Sequence, residues 1–274
     1  AMEQMKIIDA HLHLFGEAPW ADDLARSMGH ENSLGHLLEH FDMLGIAHAV
    51  VMGNEDPTPD AYQFGPQFSY CVGLEGAQIE HLGREKVPAM VEEHLRRPQC
   101  CGIKLYLGYD PHYAYDTMYE PYYELAEKYD KPVAFHTGQT QGCRAHLRYC
   151  HPLTLDDVAT DHPHTQFVMC HFGNPFLADA AAVLEKNPNM AADISGLLAG
   201  YEDLDSYFIG KREYIDMLRG WLGYGDYWDR ILFGTDWPGV NLANYLGFID
   251  RLIPDKQMEA VFFDNANRVY RLGL

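Results

Sequence analysis

Short apolar runs recur along the chain, separated by longer segments whose apolar positions follow a helical period. Eight runs have strand length: Lys6 to His13, His48 to Gly53, Tyr70 to Glu75, Gly102 to Tyr106, Pro132 to Thr137, Gln166 to His171, Met190 to Ser195 and Arg230 to Asp236. Strands alternating with helices imply βαβ units and a parallel sheet. Eight such units make a closed (β/α)8 TIM barrel, and 274 residues is an ordinary length for that fold as one domain. Between the first two runs, Leu34, Leu37, Leu38, Phe41 and Leu44 fall on one stripe of period 3.6. Asn32 or Ser33 stands ahead as a cap and Gly45 behind, so the spacing predicts a helix. Tyr119 to Lys128, with Pro121 near its first position and Pro132 beyond its end, predicts another. A third opens at Asn174-Pro175 and closes at Asn187-Pro188. The stretch from Asn54 to Ser69 is too rich in Pro, Gly and Asp for a full helix, so the second crossover is expected to be degenerate.

Long segments follow the fourth, fifth and seventh runs (Leu107 to Met118, Gly138 to Pro152, Gly196 to Gly210), on the face where barrel active sites are built. No internal repeat or Ser/Gly-rich linker divides the chain, so residues 1–274 read as a single domain. Hydrophobic residues at 47% are enough for a large core. Twenty Lys+Arg against 40 Asp+Glu give a formal charge of −20, which repels phosphate backbones and anionic lipid. Nucleic acid and membrane are therefore not expected as partners, and a small-molecule substrate is. No apolar run reaches 18 residues and Ala1 to Lys6 lacks the apolar core of an export signal, which makes the cytoplasm the default address. Six scattered cysteines, with Cys100 and Cys101 adjacent and no CxxC pair, read as reduced thiols. The unusual feature is 15 histidines, several of them inside apolar runs.

The first run ends Asp9-Ala10-His11-Leu12-His13, and a period of two places His11 and His13 on one inward face with Asp9 a layer deeper. Ala10 and Leu12 would then face the surrounding helices. His136, His171 and Asp236 end the fifth, sixth and eighth runs. Four imidazoles and a carboxylate at one barrel mouth would be costly without a cation to accept their lone pairs, so a divalent metal is expected. Lys104 points inward with Gly102 and Tyr106, where its ammonium would suit a substrate carboxylate. Arg144 and Arg148, in the loop after His136, offer planar forks for the same group. Tyr106, Tyr109, Tyr113 and Tyr115, with Trp237 after Asp236, supply aromatic surface for a substrate pocket. Neither a glycine-rich phosphate loop nor a GxSxG elbow occurs, which excludes nucleotide-dependent chemistry and serine hydrolysis.

DAHLH, GIKLY, FHTG, CHFGNP, DISG, ILFGTDWP and DNANRVY, in this order and spread over most of the chain, resemble the amidohydrolase superfamily. The likeness is to its small barrels around aminocarboxymuconate-semialdehyde decarboxylase and related metal-dependent hydrolases. It implies that His11, His13, His136 and Asp236 bind a divalent metal, usually Zn2+, with His171 as a further ligand or an acid/base group. In two-metal members a lysine at the position of Lys104 carries a carbamate that bridges the ions, whereas decarboxylase-like members use one metal, so one ion or two remains open. The first expectation is a metal-dependent hydrolase acting on an amide, lactone or other ester, with Asp236 and His171 as catalytic groups. The second is non-oxidative decarboxylation of an unsaturated or aromatic carboxylic acid. A non-catalytic metal-binding barrel comes third, because structural zinc is normally closed by four ligands without extra acid/base groups. Asn265-Ala266-Asn267-Arg268 is expected to be architectural, the asparagine capping the last helix and the arginine tying it back. Association into a homo-oligomer is left open.

Overall fold

The computed structural model describes residues 5–54, 56–198 and 200–274. Eight strands occur: β1 (Ile7–Leu12), β2 (Ile46–Met52), β3 (Phe68–Leu74), β4 (Cys100–Leu105), β5 (Val133–Phe135), β6 (Phe167–Met169), β7 (Met190–Asp193) and β8 (Ile231–Leu232). They pair in sequence order, and every pair is parallel. The eighth returns to the first through backbone bonds. Ala10 N donates to Phe233 O (2.9 Å), Asp236 N to His11 O (2.7 Å) and His13 N to Trp237 O (2.9 Å). The sheet so closed is a TIM barrel.

Around it lie α1 (Pro19–Ser27), α2 (Leu34–Leu44), α3 (Gly76–Leu82), α4 (Val87–Leu95), α5 (Glu120–Tyr129), α6 (Thr154–Asp161), α7 (Leu177–Lys186), α8 (Leu204–Gly210), α9 (Arg212–Leu222) and α10 (Leu242–Leu252). A last helix, α11 (Asn265–Val269), follows a π-helical turn. Helix α2 has the expected limits. Ser33, not Asn32, is its cap and accepts from His36 N, while Gly45 ends it at φ 79°, a left-handed conformation that favours glycine. Asn32 turns instead to the Asp22 carboxylate and the Gly16 carbonyl. Leu37 and Phe41 bury the apolar stripe, each contributing roughly 1.5–3 kcal/mol. Between β2 and β3 the described residues form only a 3-10 turn, Pro59–Ala61, so that crossover is degenerate. Helix α7 starts at Leu177, two residues beyond the expected Pro175.

One apolar cluster draws a residue from every strand and none from α1 to α10, which marks it as the barrel interior. Small and branched side chains dominate it, including Ala10, Val50, Cys71, Ala134 and Ala191. Tyr270 and Ala266 close it from the amino-terminal end of the strands, where Asn265 donates to the carbonyls of Trp228 (2.7 Å) and Ile231 (2.8 Å). Asn265 therefore ties rather than caps, since Asp264 precedes it at the cap position; Arg268 also ties back, to Asp229 O. Ala10 was expected to face the helices, but β1 slips register between Asp9 and Leu12, and a strict period of two does not cross that irregularity. All six cysteines are free thiols.

Candidate functional site

The seam that closes the barrel also assembles the site. Asp236 N bonds His11 O across it, so the carboxylate of the last strand's extension sits over the histidines of the first. Asp236 Oδ1 lies 3.2 Å from Nε2 of both His11 and His13. Strands β5, β6 and β8 stop short of His136, His171 and Asp236, which leaves those three on the loops just past the strand ends. Asp236 (φ 70°) and His171 (φ 63°) take left-handed backbone that non-glycine residues rarely adopt. Bonds on both sides impose it: His171 N donates to Asp193 Oδ1 (2.9 Å), and Asp236 O accepts from Gly239 N (3.0 Å).

The four imidazoles converge. Ring centroids are 5.3 Å apart for His11 and His13, 4.9 Å for His11 and His171, and 5.3 Å for His136 and His171. Two of the rings have one nitrogen committed. His11 Nδ1 donates to Asp193 Oδ2 at 2.8 Å, and His171 Nδ1 donates to the Ser195 carbonyl at 2.9 Å. Each of these rings, when neutral, then turns an Nε2 lone pair toward the others. Nε2 of His11, Nδ1 of His13 and Nε2 of His136 are buried without a hydrogen-bond partner. One such orphan costs about 1–3 kcal/mol, and imidazole nitrogens meeting beside a carboxylate fit a divalent cation, which prefers nitrogen and carboxylate ligands of this kind. Donor atoms of His11, His13 and Asp236 lie within 4.8 Å of one another.

Asp193 is the residue that sequence reasoning missed. It is fully buried at the end of β7 and also accepts from Ser195 N (3.2 Å) and Ser195 Oγ (2.6 Å). Its position in DISG, at the end of an apolar strand, was the available signal. Burial would raise its carboxyl, but the charge and hydrogen bond of His11 outweigh that and hold it below the usual carboxylate range. Burial would likewise raise Asp236, yet His11 and His13 keep it well below. His136 is pushed well down, first by burial and then by the charges of His171 and Lys104. Asp9, in register with Ala49, takes the backbone N–H groups of His11 (3.2 Å) and Thr235 (2.9 Å) and the Thr235 hydroxyl (2.6 Å). Burial lifts its carboxyl to about 7 despite these bonds.

Lys104 is buried on β4, its ammonium 4.7 Å above the Tyr106 ring, and its charge acts on His11, His13, His136 and His171. Tyr106 donates to the Gly53 carbonyl. Tyr109 packs on His136 with centroids 4.9 Å apart, whereas Tyr113 and Tyr115 stack on each other. Trp237 is buried beside His30 and lines a cavity of about 830 Å³. Arg144 and Arg148 are both exposed, and Arg148 donates to the Tyr149 hydroxyl at 2.8 Å; neither is brought among the imidazoles. No described helix is long and apolar enough to cross a membrane.

Comparison with known proteins agrees with this fold. The chain is similar in structure to an uncharacterised TIM-barrel protein from Bordetella bronchiseptica, at 22% identity over 98% of this chain and 99% of that one, with a TM-score of 0.72. It is similar to an amidohydrolase from Burkholderia multivorans with bound zinc, at 15% identity over 97% and 99% of the two chains, TM-score 0.67. It is also similar to a 2,6-dihydroxybenzoate decarboxylase, at 16% identity over 100% of both chains, TM-score 0.65. No curated protein matches the sequence. The sequence profile of the family described as Amidohydrolase matches residues 8–272, and the chain is accordingly an enzyme of the amidohydrolase family.

Proposed function

We propose that the protein is a metal-dependent hydrolase of an amide, lactone or other ester, with His11, His13, His136 and Asp236 as the residues that hold the cation. The observation that carries this reading is the meeting of the His11 and His13 ring nitrogens at the Asp236 carboxylate, with donor atoms within 4.8 Å of one another, beside a His136 Nε2 that is buried without a hydrogen-bond partner. A bound divalent ion, with zinc the best match to these ligands, would supply Lewis acidity that polarises a carbonyl and eases ionisation of water. The chain's own groups do the rest. Asp236, held ionised by His11 and His13, accepts the proton of the attacking water and returns it to the leaving group. His171, whose Nδ1 is fixed by the Ser195 carbonyl, keeps Nε2 for a second ion or for the departing atom. The Lys104 ammonium, if uncarbamylated, stabilises negative charge growing on the substrate, and Tyr106 and Trp237 shape the surroundings.

Lys104 also favours a second reading. A buried cation among imidazoles suits a substrate carboxylate, as non-oxidative decarboxylation of an unsaturated or aromatic acid requires. A panel of lactones, N-acyl compounds and unsaturated carboxylic acids, scored for both acid and carbon dioxide release, separates the two. Acid release without carbon dioxide is the expected result, with Asp236→Asn losing at least ~100-fold in turnover. Carbon dioxide from the wild type overturns hydrolysis, and near-normal turnover of the asparagine variant removes Asp236 from proton transfer.

A further inference from the structure

Beside the metal-site candidates lies a cavity of about 830 Å³, within the range of ligand pockets. It begins at the carboxyl ends of β1 and β8, where Leu14 and Phe15 follow His13 and Trp237 follows Asp236. From there it runs down the flank that the degenerate second crossover leaves without a helix, reaching Phe64 and Phe68. The Phe15 ring lies parallel to the His13 imidazole, with centroids 5.3 Å apart and planes at 8°. The Phe15 ring therefore borders both the cavity and the His13 imidazole, and the Trp20 ring also packs on it with centroids 4.4 Å apart.

The walls divide by chemistry. Leu37, Phe68 and Trp237, each 1% exposed, make an apolar and largely aromatic floor. The mouth carries Glu17, exposed, and Asp22, half-buried and held by Asn32 Nδ2 at 2.8 Å. Among the described residues that line the cavity none is Lys, Arg or His, and neither acid forms an ion pair. The chain as a whole carries a net charge of −20, so its field adds to theirs. A carboxylate entering here would lose its hydration, meet no cation and face two anions.

We propose that this cavity is the subsite for the unreactive part of the substrate and takes an uncharged or cationic ring or branched chain rather than an anionic one. The inference rests on the hydrolase reading for the reacting end, and Lys104 remains the group that meets negative charge there. Three esters test it: benzyl acetate and its 4-carboxymethyl and 4-(trimethylammonio)methyl derivatives, in which a methylene insulates the reacting ester from the charge. The neutral and cationic esters should exceed the carboxylate ester by at least ~10-fold in kcat/KM, and Glu17→Lys, at an exposed position, should narrow that gap. A carboxylate ester turned over as well as the neutral one overturns the proposal. If no ester is cleaved, hydrolysis of esters fails as a reading, and calorimetry with the three matching ketones, CH2 replacing the ester oxygen, still probes the cavity. Binding in the same order upholds the proposal; tightest binding of the carboxylate ketone, or no binding of any, overturns it.

Discussion

Asp193 makes no contact with solvent, yet it sets what its neighbours can do. Its carboxylate oxygens take His11 Nδ1–H, the His171 backbone N–H and the Ser195 hydroxyl, so one group fixes the tautomer of one ring and the backbone of another. A carboxylate behind a ligand histidine commonly contributes 10–100-fold to metal affinity. Asp193→Asn should therefore fold, and should lose about that factor in affinity for zinc, read by competition against a chelator. An unchanged affinity would show that His11 does not need this partner to face the ion. His11→Ala combined with His13→Ala should abolish retention of a divalent ion, checked by elemental analysis of the dialysed protein. Metal content equal to the wild type would refute the ligand assignment.

At the level of elements, the segment leading into α2 joins to the start of α10 through histidines. Leu242 N–H donates to His30 Nε2 at 3.1 Å, which leaves the His30 proton on Nδ1 to donate to His36 Nε2 at 2.8 Å. His40 Nδ1 donates to the His36 carbonyl at 2.9 Å. His30 is pushed from the usual 6.5 down to about 4, first by burial and then by His40 and His36. The folded protein thus holds this proton less well than the unfolded chain does, so His30 contributes stability above pH 6.5 that is lost as pH falls toward 4. The urea midpoint should drop between pH 7 and pH 5, and His30→Gln should flatten that dependence; an identical slope in the variant would rule His30 out. Little of this was legible in the sequence, because the bond that anchors the histidines joins His30 to Leu242, 212 positions away. Helix α2 was legible, since its stripe and its stop lie within twelve residues, from Leu34 to Gly45. The eight strands were legible as apolar runs, and the histidines and Asp236 as polar residues ending them. Ala10 was misplaced because a register slip breaks the period locally. Asp193 was missed because an aspartate ending a strand carries no mark of the partner it will meet 182 positions away.

Across the whole molecule, the first strand and the last meet only at the seam, where Asp9 and Thr235 are 226 positions apart. Closing a loop of that length costs about 5 kcal/mol in chain entropy, and nothing local offsets it before the intervening strands have paired. The bonds Asp236 N to His11 O and His13 N to Trp237 O are the ones that complete the barrel and also the ones that bring the carboxylate to the imidazoles. Time is the consequence. While a ribosome has delivered the chain only through β7, His11 and His13 are present but Asp236 is not, so the full set of ligands exists only after the last strand arrives. Assembly of the centre should therefore be among the latest events in refolding. Pulse-labelling hydrogen exchange should find the amides of Asp236 and Thr235 gaining protection after those of β3 and β4, whose pairing joins neighbours in sequence. Protection of Asp236 ahead of that pair would mean that the seam forms first and templates the barrel.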